Sequence, residues 1–541
     1  MWKYRPMLQT DLADLLLLAS EEAPDRLAVV ESDGRGRTWL ELEGEVASFA
    51  TGLGDLGILA GARVMLVVGN RLEFVTGYLA ILRAQVVAVP VNPRSTADEL
   101  ARMIADSGTR LVIADPDSLA VVRDACAQVV AALDGEPTDL EADLVSRAQR
   151  PRVVTIDTAP QDGEVSYADV LATEARALPP LPDPEKLAAL LYTSGTSGRP
   201  RAAMLTHRAL LANLEQVGDV EPPMIHGDDV VLGVLPLFHV YGLNAVLGGV
   251  LQHRAKLLLV EHWDPFAVLD LIEDEAVSVL PIAPPVFAHW RGIEDLADRL
   301  GPVRLVLSGS APLPPEVIEE FTAITTIPVH QGYGLTEASP VVTSTLCSDV
   351  LQTGSVGAAL PGIELRLVDE TDTPVTGEDP GEIQVKGANL FSGYWPDGAS
   401  GPSDEGWWST GDVGFLDSTG DLFLVDRVKE LVIVSGFNVY PSEVEEVIRE
   451  VPGVRDAAVI GVADDDTGEA VVAYVVAEAD APEDGEALED AVRGHASSRL
   501  ARFKQPTRVE VVAELPLTVT GKVQKGRLRG MERRRQLGLL E

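Results

Sequence analysis

With 84 acidic residues against 43 basic ones, the 541-residue chain has a formal net charge of −41. It therefore lacks the positive footprint that nucleic-acid phosphates require, and an anionic membrane surface is disfavoured too. The length predicts more than one domain, and 46% hydrophobic residues suit a globular protein with a large core. The two cysteines, Cys126 and Cys347, form no CxxC pair, which speaks against a zinc cluster or disulfide framework and fits a reducing cytoplasm.

The first residues run into Asp11 and Asp14 rather than an uninterrupted apolar core, so they do not read as a signal peptide. The stretch Thr38 to Ala50 has the look of an amphipathic helix. Short apolar strands at 63–68, 87–90 and 110–114 alternate with helical stretches, the pattern of an α/β fold. Residues 136–165 are polar and irregular and read as a loop-rich insertion. No internal repeat is evident.

An apolar run, Leu187 to Leu191, leads into Tyr192 and then Thr193, Ser194, Gly195, Thr196, Ser197, Gly198, Arg199, Pro200 and Arg201. Glycines let backbone N–H groups approach an anion closely, hydroxyls add donors and the arginines add charge. That combination suits a polyphosphate, although it lacks the Gly-Lys-Ser/Thr of P-loop NTPases. A flexible surface turn would have the same composition. Only eight of the 43 basic residues are lysines, so each lysine is conspicuous.

Further along, Val230 to Leu251 carries no Asp, Glu, Lys or Arg and is long enough to span a bilayer. Its Pro236 and four glycines predict instead a buried strand, a loop and the start of a buried helix. Within it, Leu235-Pro-Leu-Phe-His-Val-Tyr-Gly242 ends a strand with an aromatic pair and a histidine. Ser308-Gly-Ser-Ala-Pro-Leu313 and Gln331-Gly-Tyr-Gly-Leu-Thr-Glu337 each follow a short strand, and Trp408-Ser-Thr-Gly-Asp-Val-Gly414 comes next. After Gly420 the texture changes: strands at 422–427 and 430–435, a helix beginning at Pro441, strands at 457–460 and 470–476, and finally Leu517-Thr-Val-Thr-Gly-Lys-Val523. These residues predict a compact final domain of about 110 residues.

Each motif alone has an ordinary reading as a turn or tight loop. In this order, the set resembles the adenylate-forming superfamily of acyl-CoA synthetases, luciferase-like enzymes and adenylation domains. Val434 to Glu445 most resembles medium- and long-chain fatty acyl-CoA synthetases, and Leu235 to Tyr241 also resembles the coumarate-CoA ligase branch. The resemblance implies an α/β body of several subdomains over residues 1–427 and a small mobile α/β lid over 428–541. It implies ATP-dependent activation of a carboxylic acid, a fatty acid by the Val434 to Glu445 match, to acyl-AMP. Transfer to the thiol of CoA would follow, releasing AMP.

The same resemblance implies roles for individual residues. The loop from Thr193 to Arg201, with Ser194, Gly195, Thr196, Ser197 and Gly198, would hold the β- and γ-phosphates. Thr193 and Glu337 would help hold Mg²⁺, a hard ion that takes oxygen ligands and keeps waters. Gly309, Ser310, Ala311, Gly332, Tyr333 and Gly334 would line the adenine slot, and Thr336 would reach a phosphate. Asp412 would bind both ribose hydroxyls, and Arg427 would touch the ribose or phosphate. Lys522 would be the catalytic lysine, a charge on a flexible stem bridging carboxylate and α-phosphate. Lys429 would be the hinge, and Ser435, Gly436 and Phe437 would flank the pantetheine tunnel. His239 falls among the catalytic and substrate-contacting residues, and Val240, Tyr241, Asn244, Gly332, Pro340 and Val341 would form the acyl pocket.

One motif departs from the family pattern: Pro200-Arg201-Ala202 stands where Pro-Lys-Gly is usual, and Ser197 where Thr is. The charge persists, but a broad planar fork replaces a compact ammonium. Other readings stay open at this level. They are an acyl-AMP ligase that loads an acyl carrier protein, an aryl or coumarate-type CoA ligase, and a catalytically impaired acyl-binding paralogue. Chain length and oligomeric state, a homodimer included, are not legible.

Overall fold

A computed structural model describes residues 11–181, 183–194, 200–310, 313, 315–369, 372–375, 381–427, 432–439, 441–478, 485–516, 523 and 525–536. It shows the mixed α/β architecture that the sequence predicts, a large N-terminal body followed by a smaller C-terminal domain. The body is built on two sheets whose central strands are short runs of Val, Leu, Ile and Ala buried on both faces, as parallel strands covered by helices must be.

The first sheet has seven strands in the spatial order Val165–Ser166, Arg152–Thr155, Leu111–Ala114, Arg63–Val67, Val87–Pro90, Leu187–Ser194, Pro200–Thr206. All pairs are parallel except the last, a long antiparallel hairpin that frames the Thr193–Arg201 loop. The region 136–165 therefore differs from its sequence reading. It holds a helix, Ala142–Arg147, and two strands of this sheet. The buried run Val153 to Ile156, sunk beside Leu111 to Ala114, is its signature. The polar residues around it mask so short a buried strand.

The second sheet has nine strands. Its core comprises Lys256–Leu259, Val230–Gly233, Val279–Ile282, Leu305–Ser308 and Val329–Gly334 in parallel register. At Val329–Gly334 the sheet turns antiparallel through Val341–Ser344. Helices cover both sheets. The helix expected from Thr38 spans Trp39–Asp55, with Thr38 and Glu41 forming a reciprocal capping box, and its Trp39 and Phe49 are fully buried. A second capping box, Thr96 with Glu99, opens Ala97–Ser107.

The apolar stretch 230–251 forms a strand, a loop, the π-helix Tyr241–Gly248 and the helix Gly249–His253. No helix among the described residues is long and apolar enough to cross a membrane.

A four-stranded antiparallel sheet (Glu364–Val368, Gly381–Lys386, Trp408–Leu416, Leu422–Arg427) precedes the C-terminal elements. Those are organised on a separate sheet of Val432–Val434, Phe437–Val439, Val454–Asp464, Gly468–Ala477 and Arg508–Val512. This sheet has its own core around Val444, Ile448, Val459, Val475 and Val492. The change of sheet between Arg427 and Val432 supports a domain boundary there, which we propose at 427/428.

Candidate active site

The carboxyl ends of parallel strands are where an open α/β sheet leaves room for ligands. Here Val230–Gly233 feeds the loop to His239, Leu305–Ser308 delivers Gly309 and Ser310, and Val329–Gly334 delivers Thr336 and Glu337. These segments converge on a cavity of about 190 Å³. Its lining includes Thr193, His239, Val240, Tyr241, Gly309, Ser310, Gly332, Tyr333, Gly334, Thr336, Glu337, Pro340, Val341 and Asp412. Motifs far apart in sequence are thus brought to one place.

The polar end of this cavity is held by short contacts. The Tyr333 hydroxyl donates to Asp412 Oδ2 at 2.7 Å, fixing one oxygen of the expected ribose ligand. In the backbone register of the antiparallel sheet, Asp412 stands opposite Arg427. Glu337 is buried, and its Oε1 accepts from the Tyr394 hydroxyl at 2.5 Å. Arg201 lies over the Tyr394 ring at 3.8 Å, close enough for a cation–π contact. The arginine that departs from the family pattern therefore stacks on the residue that holds Glu337. Thr193 and Glu337 offer oxygens to one cavity, and with one Glu337 oxygen held by a neutral hydroxyl this set fits a hard, water-rich ion such as Mg²⁺.

His239 sits at the junction. Its Nδ1 accepts from Tyr241 N at 3.4 Å, and burial lowers its pKa from 6.5 to about 4, so the ring is neutral near pH 7. Tyr241, in the π-helix, lies against Gly309: a Cβ on Gly309 would come within 2.7 Å of its ring. Gly332 and Gly334 are also required by the backbone around them, because a Cβ there would strike the backbone oxygens of Thr343 at 2.7 Å and Pro340 at 2.5 Å.

Asn244 does not join the acyl pocket. It is fully buried in helix packing, and its Nδ2 donates to the carbonyls of Leu210 at 3.1 Å and Ser339 at 2.7 Å. The π-helix turns its neighbour Ala245 to the cavity instead. The back wall adds Val217, Met224, Ile225 and Val246, residues that no motif flagged because they belong to ordinary apolar runs.

A second cavity, about 670 Å³, opens between the body and the C-terminal domain and shares Thr193, His239 and Thr336 with the first. Phe437 guards it. Its ring stacks on Phe238 of the body at 5.9 Å and meets Phe503 at 4.6 Å. Ser435 and Gly436 precede it at positive φ, 51° and 81°, which re-aims the chain toward the body. Gly195, Thr196, Ser197, Gly198, Ala311, Lys429 and Lys522 lie outside the described residues, as do the side chains of Ser194 and Arg427. No motif points to Tyr394 or Phe503, and Phe238, one of the aromatic pair in the 235–242 motif, carries no assigned role there. A faint signal existed for Tyr394, an aromatic pair between Gly393 and Pro396.

The chain belongs to the AMP-binding, adenylate-forming enzymes. The AMP-binding enzyme family matches residues 18–395, and the AMP-binding enzyme C-terminal domain matches 443–522. It is 32% identical over 508 residues to 4-coumarate–CoA ligase 3 of Oryza sativa subsp. japonica, covering 92% of this chain and 87% of the relative. It is 31% identical over 539 residues to the long-chain-fatty-acid–CoA ligase of Bacillus subtilis, covering 97% and 95%. Among solved structures it resembles the amide bond synthetase McbA from Marinactinospora thermotolerans, with a TM-score of 0.80, 27% identity and coverage of 96% and 99%. The protein is thus a ligase of the adenylate-forming acid–CoA ligase family.

Proposed function

We propose that the protein activates a largely apolar carboxylic acid, fatty or aryl, as its acyl-adenylate and passes the acyl group to the thiol of CoA. One observation carries this reading: the apolar cavity and the interdomain cavity meet at Thr193, His239 and Thr336. A carboxylate held at that junction is within reach of a phosphate on one side and an incoming nucleophile on the other. In the first step a carboxylate oxygen bonds to the α-phosphorus of ATP and pyrophosphate leaves. In the second the thiol sulfur bonds to the acyl carbon, AMP leaves with the bonding pair, and the thiol proton is released.

Two anions meet in the first step, so the residues act by positioning and charge neutralisation. Asp412, steadied by Tyr333, would hold the ribose. Mg²⁺ on Thr193 and Glu337 would neutralise phosphate charge. Lys522 would bridge carboxylate and α-phosphate, with Lys429 as the pivot that brings it in and out. The wall of Val217, Met224, Ile225 and Val246 supports an apolar acyl tail. ATP–pyrophosphate exchange across a panel of fatty, aryl and amino acids tests the reading. Exchange with amino acids alone, or with none, would refute it, and the latter would favour an acyl-binding paralogue.

The outer interdomain cavity favours a second acceptor class. Its lining carries Asp98, Glu99, Asp106, Glu141, Asp143, Glu443, Glu446 and Glu450 against Arg102, Arg147, Arg201, Arg499 and Lys504, an acidic excess although several of these groups are paired with one another. Such a mouth also suits a cationic amine, and the fold is shared with an amide bond synthetase. Supplying CoA, a carrier protein or simple amines to the preformed acyl-adenylate separates the acceptors.

A further inference from the structure

We infer that Lys504 is a positioning residue for the second half-reaction, latching the C-terminal domain against the body with Phe437 at the junction. The inference rests on the two-step reading above.

Lys504 Nζ lies 2.9 Å from Glu99 Oε1 and 2.8 Å from Glu443 Oε1. Glu99 belongs to the body, whereas Glu443 and Lys504 belong to the C-terminal domain. All three side chains are nearly buried, at 12%, 11% and 12% exposure respectively. Exposure decides which interdomain ion pair matters. Arg499 also crosses to the body, toward Asp98 and Asp139, but at 3.8 Å to each, and those carboxylates are 40% and 85% exposed. Solvent screens such contacts, while a buried charge left without its partner is strongly disfavoured.

Each group is anchored. Glu99 is the N3 residue of the Thr96 capping box, with Oε2 accepting from Thr96 N at 2.9 Å while Oε1 meets Lys504. Glu443 lies in the first turn of the helix Pro441–Arg449, where the helix dipole favours a carboxylate. Lys504 closes the short turn Arg502–Lys504, directly after Phe503, which packs on Phe437. The lysine and the aromatic that reaches the junction are therefore set by one element.

The pair is also asymmetric in a useful way. If the C-terminal domain rotates, Lys504 keeps Glu443, and Glu99 alone is returned to water. Glu443 Oε2 is buried with no hydrogen-bond partner among the described residues, so this arrangement carries a built-in cost and stays reversible. Without the ammonium, two buried carboxylates would face each other across the domain boundary.

The test compares Lys504→Gln, Lys504→Arg, Glu99→Gln and the Lys504→Gln/Glu99→Gln double variant. Gln at 99 preserves the capping box, so the helix Ala97–Ser107 is kept. Transfer from preformed acyl-adenylate to the acceptor should slow at least tenfold in both single Gln variants. The double variant should be no slower than either, and Lys504→Arg should recover part of the rate. ATP–pyrophosphate exchange should stay within about twofold in all of them. If Lys504 instead bound CoA phosphates, Glu99→Gln would free it and tighten CoA binding, which overturns the latch.

A readout independent of activity uses spin labels on Glu136→Cys and Asp490→Cys in a Cys347→Ser background. The parent should show one dominant distance, and Lys504→Gln and Glu99→Gln a broadened, shifted distribution. Identical distributions in parent and variants overturn the latch even if the parent proves to use another acceptor. A parent inactive in exchange refutes the two-step reading alone.

Discussion

Replacing Tyr394 by Phe removes one oxygen atom and tests whether Glu337 must be held to do its work. The hydroxyl and Glu337 Oε1 are 2.5 Å apart, and both residues are buried. The ring itself should stay. Phe391 meets it edge-on at 5.0 Å and Arg201 covers it at 3.8 Å. What is lost is a hydrogen bond to a charged acceptor, worth about 1.5–3 kcal/mol. If that energy is expressed in the adenylation transition state, kcat/KM for acyl-adenylate formation falls about 10- to 100-fold, at about 1.4 kcal/mol per decade. Freed of its donor, the carboxylate should also need more Mg²⁺ for half-maximal rate. The assay is ATP–pyrophosphate exchange over a Mg²⁺ titration, with thermal unfolding as control. Unchanged exchange and unchanged Mg²⁺ dependence would refute the argument. A loss matched by an equal loss of stability would assign Tyr394 to packing instead.

Lys522→Ala should cut acyl-adenylate formation by about a hundredfold or more, the scale of losing a preorganised charge contact, while sparing transfer from supplied acyl-AMP. Normal exchange would remove Lys522 from the first step. Arg201→Lys should retain exchange, whereas Arg201→Ala should weaken ATP binding in nucleotide titrations and loosen Tyr394. Parent-like titrations in both would mean the cation does not serve phosphate. Gly309→Ala must displace the Tyr241 ring, an overpacking cost of about 1–3 kcal/mol, so the preferred acid should shift to smaller members of the panel, and an unchanged profile would place Tyr241 outside the acyl wall. His239 has a folded pKa of about 4 against 6.5, so the unfolded chain binds the extra proton between those values. Stability should therefore rise from pH 4 to pH 6.5 by an amount on the order of 2–3 kcal/mol. Denaturant midpoints against pH should flatten in His239→Asn, and an identical slope in the variant would show that the ring is not held neutral.

The α/β class, the order of the motifs and many of the residues that line the polar end of the cavity were legible in the sequence. The physical reason is local. Thr38 with Glu41 specifies a helix start from four residues. Short apolar runs rich in β-branched residues, such as Leu111 to Ala114, favour buried strands. Tertiary structure alone decided the rest. The family resemblance implies Asn244 as a pocket residue, yet the π-helix turns it to the carbonyls of Leu210 and Ser339. The strand Arg152–Thr155 vanishes into a polar stretch because so short a buried run leaves too weak a period. Tyr394 lies 57 residues from Glu337, and Lys504 lies 405 from Glu99. Contacts at such separations leave no periodicity or spacing to read, since they depend on how whole sheets and domains stack rather than on what any one segment prefers.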